Sequence, residues 1–165
     1  MNRRQTSTLL VLQELGITSN MDAFDERLSV QKSIYLAQAA GVELGHYFSW
    51  YLRGPYAPSV AQDVFDAIQN DDHRSSLEGW ELDPASRAKL ATIRLHFGPP
   101  ASLTQGRWLE LLASIHFLIA RNQVKTQDPV ALRSLLARHG KTYTADQVAS
   151  AISVLHAANL IARAA

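Results

Sequence analysis

The sequence predicts a mainly α fold: a helical bundle around a central apolar helix at about 107–120, with a small β element near 46–53 and a C-terminal helix–turn–helix. Three observations lead there. Apolar residues recur at helical spacing through most of the 165 residues. The period drops to two around Phe48. The stretch Arg107–Ala120 is apolar on two flanks, the pattern of a helix covered on all sides.

Taken in order, Thr6–Leu15 reads as the first helix, ended by Gly16, and Ala23–Ala39 as the second, ended by Gly41. The second carries Phe24, Leu28, Val30, Ile34, Tyr35 and Ala37 mostly on one flank. Phe48, Trp50 and Leu52 then alternate with Tyr47, Ser49, Tyr51 and Arg53, the two-residue repeat of a strand. Gly54-Pro55 breaks it, Pro58 pushes Ala57 toward extended geometry, and Ser59 with Gln62 makes a capping box for the next helix. Val60, Val64, Phe65 and Ile68 form that helix's inward stripe, with Asp63 and Asp66 facing elsewhere. The stretch GPYAP is expected to be a rigid turn between strand and helix, its prolines lowering the entropy lost on ordering.

After a polar loop from Asn70 to Gly79, Trp80-Glu81-Leu82 reads as a short strand. Asp83 caps a helix opened by Pro84 and running to about His96; Gly98-Pro99-Pro100 is the firmest break. In the central helix, Trp108, Leu111, Leu112, Ile115, Leu118 and Ile119 make one stripe and Leu109, Ala113, Phe117 and Ala120 another. Asp128-Pro129 opens the next helix, with Leu132, Leu135 and Leu136 inward, and Gly140 ends it. Thr144 caps the last, with Val148, Ile152 and Leu155 inward. There is no internal repeat and no low-complexity linker, so residues 1–165 read as a single domain.

With 47% apolar and 19% charged residues, the balance is that of a globular chain. Cysteine is absent, which excludes disulfides, thiolate metal sites and a cysteine nucleophile, and suits a reducing compartment. No apolar run approaches the ~20 residues needed to cross a bilayer, and the N-terminal one is interrupted by Gln13-Glu14. A cytoplasmic location is expected. Net charge is +1 but unevenly placed: −3 over residues 1–120 and +4 over 121–165.

No catalytic residue, cofactor or metal site is expected. Gly-rich phosphate loops, G-x-S-x-G and H-E-x-x-H are all missing. His46, His73, His96, His116, His139 and His156 are scattered, and His116 within the apolar helix reads as a hydrogen-bonded core histidine. Asp71-Asp72-His73 reads as a solvated turn, and Asp22, Asp25 and Glu26 as the acidic first turn of a helix. A deep pocket lined by His46, Arg53 and Asp63 would favour an enzyme.

Trp50, Tyr51, Arg53, Gly54, Pro55 and Tyr56 are the candidate partner-binding residues, with Tyr51, Arg53 and Tyr56 on the outward side. Aromatics beside an arginine supply contact area at modest entropy cost; the same strand could equally serve to pin the bundle. The alternative is nucleic-acid binding by the C-terminal pair of helices through Arg133, Arg138, Lys141 and Tyr143, winged-helix-like in shape. Against it, the outer side of the last helix offers Gln147, Ser150, Ser153 and His156, and no arginine.

QKSIYLAQAAGVELGHYFSWYLRGPYAPSVAQDV (Gln31–Val64) resembles the YwgA-like group of uncharacterised bacterial proteins, related to the Panacea domain of antitoxins and toxin-neutralising adaptors. The group's pattern is a lysine-bearing helix, an aromatic strand, then GPYSP and a helix; Ala57 stands where serine is expected. WLELLASIHFL (Trp108–Leu118) and GKTYTADQVASAISVLHAANLI (Gly140–Ile161) match later segments less specifically. The resemblance implies a helical fold with a small sheet and an association with toxin–antitoxin or phage-defence settings. It implies no catalytic residue. The leading expectation is therefore a non-enzymatic, antitoxin-like or defence-associated module that binds a protein partner. The alternatives are a nucleic-acid-binding transcriptional regulator and an enzyme of unknown class.

Overall fold

The helices begin where a side chain can take up an otherwise orphaned backbone amide. Asn2, Asp83, Thr104, Asp128 and Thr144 each accept a hydrogen bond from an amide of the first turn that follows them. In the computed structural model, which describes residues 1–69 and 75–163, these caps open five of the seven α-helices found among the described residues. The elements are α1 (Arg3–Leu15), α2 (Phe24–Ala39), β1 (Ser49–Tyr51), β2 (Gly54–Tyr56), α3 (Pro58–Gln69), α4 (Pro84–Arg94), α5 (Gln105–Ala120), α6 (Pro129–Arg138) and α7 (Ala145–Ala157). The fold is mainly helical with one small sheet, as the sequence predicts.

α5 is the central element. From Trp108 to Leu118 every residue is buried, and α5 packs against α2, α7 and β2. α1 packs on α2, α3 and α4, and α6 packs on α7. No helix among the described residues is long and apolar enough to cross a membrane.

Several local expectations are corrected. Gly54-Pro55 does not break the strand; it begins β2, which turns back on β1 with Ser49 opposite Tyr56 and Tyr51 opposite Gly54. Gly54 can make this turn because its φ of +86° lies in the left-handed region that favours glycine. The two-residue period runs earlier than expected: Val42, Leu44, His46 and Phe48 are buried and the residues between them exposed, whereas Leu52 is exposed at the hairpin tip. The capping box at Ser59 does not form, since Ser59 Oγ bonds His46 Nδ1 at 2.7 Å and Gln62 bonds Asp66. In α3 Asp63 is inward and Phe65 outward, because Asp63 meets Arg4 of α1. Phe24 is also exposed. Residues 80–82 are not a strand, and no strand follows α7 among the described residues. Asp71, Asp72 and His73 lie outside the described residues.

Candidate partner-binding site

The site begins on α2. Gln31 and Gln38 are two turns apart and so share a face. Each side-chain amide holds one residue of the following segment by both main-chain groups. Gln31 Nε2 donates to Ala57 O at 3.0 Å while its Oε1 accepts from Ala57 N at 3.1 Å. Gln38 does the same for His46, both bonds at 2.9 Å. Thus α2 satisfies backbone groups that the two-stranded sheet leaves open.

Beside Gln31, Lys32 is 1% exposed, and its Nζ donates to Pro55 O at 2.7 Å. Burial pushes its ammonium down to about 7; Glu110 opposes that shift and Lys141 adds to it. Lys141, just beyond α6, is 3% exposed. Its Nζ lies 3.2 Å from both Leu52 O and Glu110 Oε1, and 5.5 Å from the Trp50 ring centroid. Burial lowers its pKa too, with Glu110 opposing. Glu110 and Ser114, one turn apart on α5, complete the cluster, and neither Glu110 Oε2 nor Ser114 Oγ has a hydrogen-bond partner. Gly54 sits against Ser114: a Cβ there would collide with its Oγ. Arg121 closes the far side, its Nη2 donating to Phe48 O at 3.2 Å.

The hairpin is therefore anchored from beneath and bare on top. Tyr51 is 59% and Leu52 76% exposed, and Arg53 is exposed with its guanidinium 5.1 Å from the Phe24 ring centroid. Tyr56 is half-buried, its ring centroid 5.5 Å from that of Tyr51. Trp50 is half-buried between Phe117 and His139, at 5.7 and 5.1 Å between centroids.

Of the six residues expected to bind a partner, Tyr51 and Arg53 are exposed and Trp50 and Tyr56 are half-buried. Gly54 and Pro55 are buried and anchor the hairpin instead. Of the four expected to bind nucleic acid, Arg133 and Arg138 are exposed on α6. Lys141 and Tyr143 are buried: one holds Leu52 O and Glu110, and the other donates its hydroxyl to Arg107 O at 3.1 Å. Lys141 thus joins the two candidate sites, because it is the floor beneath Trp50. The sequence reading missed Phe24, Leu52, Lys32 and Glu110. A hairpin turn at Leu52-Arg53 would have placed Leu52 outside; a buried lysine has no comparable local signal.

A second polar cluster joins α1 to α3. His46 Nε2 lies 2.8 Å from Thr8 Oγ1, and Arg4 grips Asp63 through two bonds of 2.6 and 3.1 Å. His46 and Asp63 therefore share a seam, whereas the Arg53 guanidinium lies over Phe24. A groove of about 600 Å³ lies elsewhere, between α1 and residues 77–82. His116 bonds the Tyr35 hydroxyl at 2.7 Å, the core role expected of it. No group of three or more His, Asp or Glu residues among those described could hold a metal ion.

No family model, curated protein or solved structure matches the chain.

Proposed function

We propose that this protein is a non-enzymatic interaction module whose β1–β2 hairpin tip docks onto a protein partner. The observation that carries this reading is the contrast within one hairpin. Tyr51, Leu52 and Arg53 project into solvent, while the main chain around them is held by Lys32, Lys141 and Arg121. Two exposed apolar side chains beside an arginine, on a pre-ordered turn, bind with little further loss of entropy. The resemblance of Gln31–Val64 to the YwgA-like and Panacea group would make the partner a toxin or a defence component; that assignment rests on sequence resemblance alone. The nucleic-acid reading is weaker, since Lys141 and Tyr143 face inward.

A photo-crosslinking amino acid at Tyr51, with a control at Leu95, exposed at the C-terminal end of α4, tests the proposal in cells. We expect a discrete protein adduct from position 51 alone, lost when Arg53→Ala is added. No adduct at 51, or equal adducts at both positions, would overturn it.

A further inference from the structure

The hairpin face has a charge as well as a shape. Four guanidiniums border it, and each rests on an aromatic ring: Arg53 and Arg27 on Phe24 at 5.1 and 5.9 Å, Arg121 on Phe117 at 4.8 Å and Arg107 on Tyr143 at 4.8 Å. Arg121 and Arg107 also donate to carbonyl oxygens, of Phe48 and Thr142. None of the four forms an ion pair; among the described residues the pairs are Arg4–Asp63, Arg87–Glu81 and Lys141–Glu110. The neighbouring carboxylates are engaged. Glu110 is buried on Lys141, Asp25 accepts from Thr104 Oγ1 and Gly106 N, and Glu26 accepts from Ala23 N and Asn20. Asp22, just before α2, and Asp146, in the first turn of α7, are exposed acids.

An arginine laid on a ring has its plane fixed and part of its hydration removed, which readies it for a bidentate anion. Between these cations lie Tyr51, Leu52, Tyr56 and the half-buried Trp50. We propose, resting on the docking role above, that this face takes an acidic segment of a partner protein: carboxylates on Arg53 and Arg121, with an adjacent apolar side chain over Tyr51 and Leu52. A nucleic-acid backbone fits less well. Tight phosphate binding draws on about 6–10 contacts, whereas this face offers four guanidiniums, and the outer side of α7 adds Gln147, Ser150, Ser153 and His156 but no arginine.

The test uses the full chain and fluorescence anisotropy with three labelled probes: a Glu/Tyr random copolymer, a Lys/Tyr copolymer, and a DNA duplex of about 20 base pairs. We expect the Glu/Tyr copolymer to bind best and to weaken about tenfold or more as salt rises from about 50 to about 300 mM. Arg53→Glu and Arg121→Glu should each lose about tenfold, corresponding to one charge-assisted contact, while Arg87→Glu, on α4 beside Glu81, should leave binding unchanged. Far-UV circular dichroism of each variant confirms that it is folded. Equal binding of the two copolymers, or unchanged affinity in both arginine variants, overturns the proposal. So does retention of the duplex in preference to Glu/Tyr. If the adduct formed at position 51 survives excess Glu/Tyr copolymer, the docking role stands and the acidic assignment alone falls.

Discussion

Lys32 Nζ donates to the carbonyl oxygen of Pro55 across 2.7 Å, from a position 1% exposed to solvent. A carbonyl cannot neutralise an ammonium, and Glu110 is already bonded to Lys141, so Lys32 is easiest to bury as the amine.

That protonation difference makes stability depend on pH. In the unfolded chain Lys32 holds its proton up to its ordinary value of 10.5, and in the fold only to about 7. Between these values the unfolded state binds more protons, so stability rises with pH. We expect urea midpoints to increase from pH 7.5 to 9.5, and Lys32→Met to remove up to about 2 kcal/mol of that increase. Measurements should stop below pH 10, where Tyr35 and Tyr143, both raised by burial, begin to act in the opposite sense. An identical rise in the variant would show Lys32 to be charged in the fold.

The Glu110–Lys141 pair should behave non-additively. Glu110→Ala strands a buried ammonium and is expected to cost about 3–5 kcal/mol, whereas replacing both partners by apolar residues is often close to neutral. Glu110→Leu combined with Lys141→Met should therefore unfold at higher urea than Glu110→Ala alone. The reverse order would mean that Lys141 is needed chiefly for Leu52 O.

Gly54 and Ser114 offer a separate cycle. Gly54→Ala meets two obstacles, a φ of +86° and the Ser114 hydroxyl, and should cost roughly 1–3 kcal/mol. Ser114→Ala alone should be neutral or mildly stabilising, since its buried Oγ has no partner. In the double variant the collision is relieved and the backbone strain persists, so the loss should be smaller than in Gly54→Ala but not zero. Thermal unfolding of the four proteins decides this.

His46 works at the acid end. Burial lowers its pKa, with Arg4 adding to that and Asp63 opposing. Unfolded histidine gains a proton near pH 6.5 and buried His46 resists it, so its contribution is complete above that value and is lost as pH falls below it. His116 is shifted the same way, so a common slope remains. The difference between wild type and His46→Gln isolates the seam: the variant should lose less between pH 6.5 and 5, as followed by urea unfolding.

The helices, their caps at Asp83, Asp128 and Thr144, and the central place of α5 were legible because periodicity and capping are local signals. The two-residue alternation set Tyr51 and Arg53 on a common side, but that this side meets solvent was not legible. Nor was the hairpin return, because Gly54-Pro55 reads as a stop unless the acceptors of Lys32 and Lys141 are known, and these lie 23 and 89 residues away. Asp63 was misplaced for the same reason, its partner Arg4 being 59 residues distant. Trp50 and Lys141 looked like members of rival sites because nothing in their neighbourhoods records that one sits above the other.

Gln38, Arg121, Lys141, Lys32 and Gln31 all grasp peptide groups, at His46, Phe48, Leu52, Pro55 and Ala57. A peptide group is the same whichever amino acid carries it. The loop's course is thereby decoupled from the chemistry it displays, and Tyr51, Leu52 and Arg53 could be rewritten while the chassis stays unaltered. In this molecule three displayed side chains can change without a new fold having to be found.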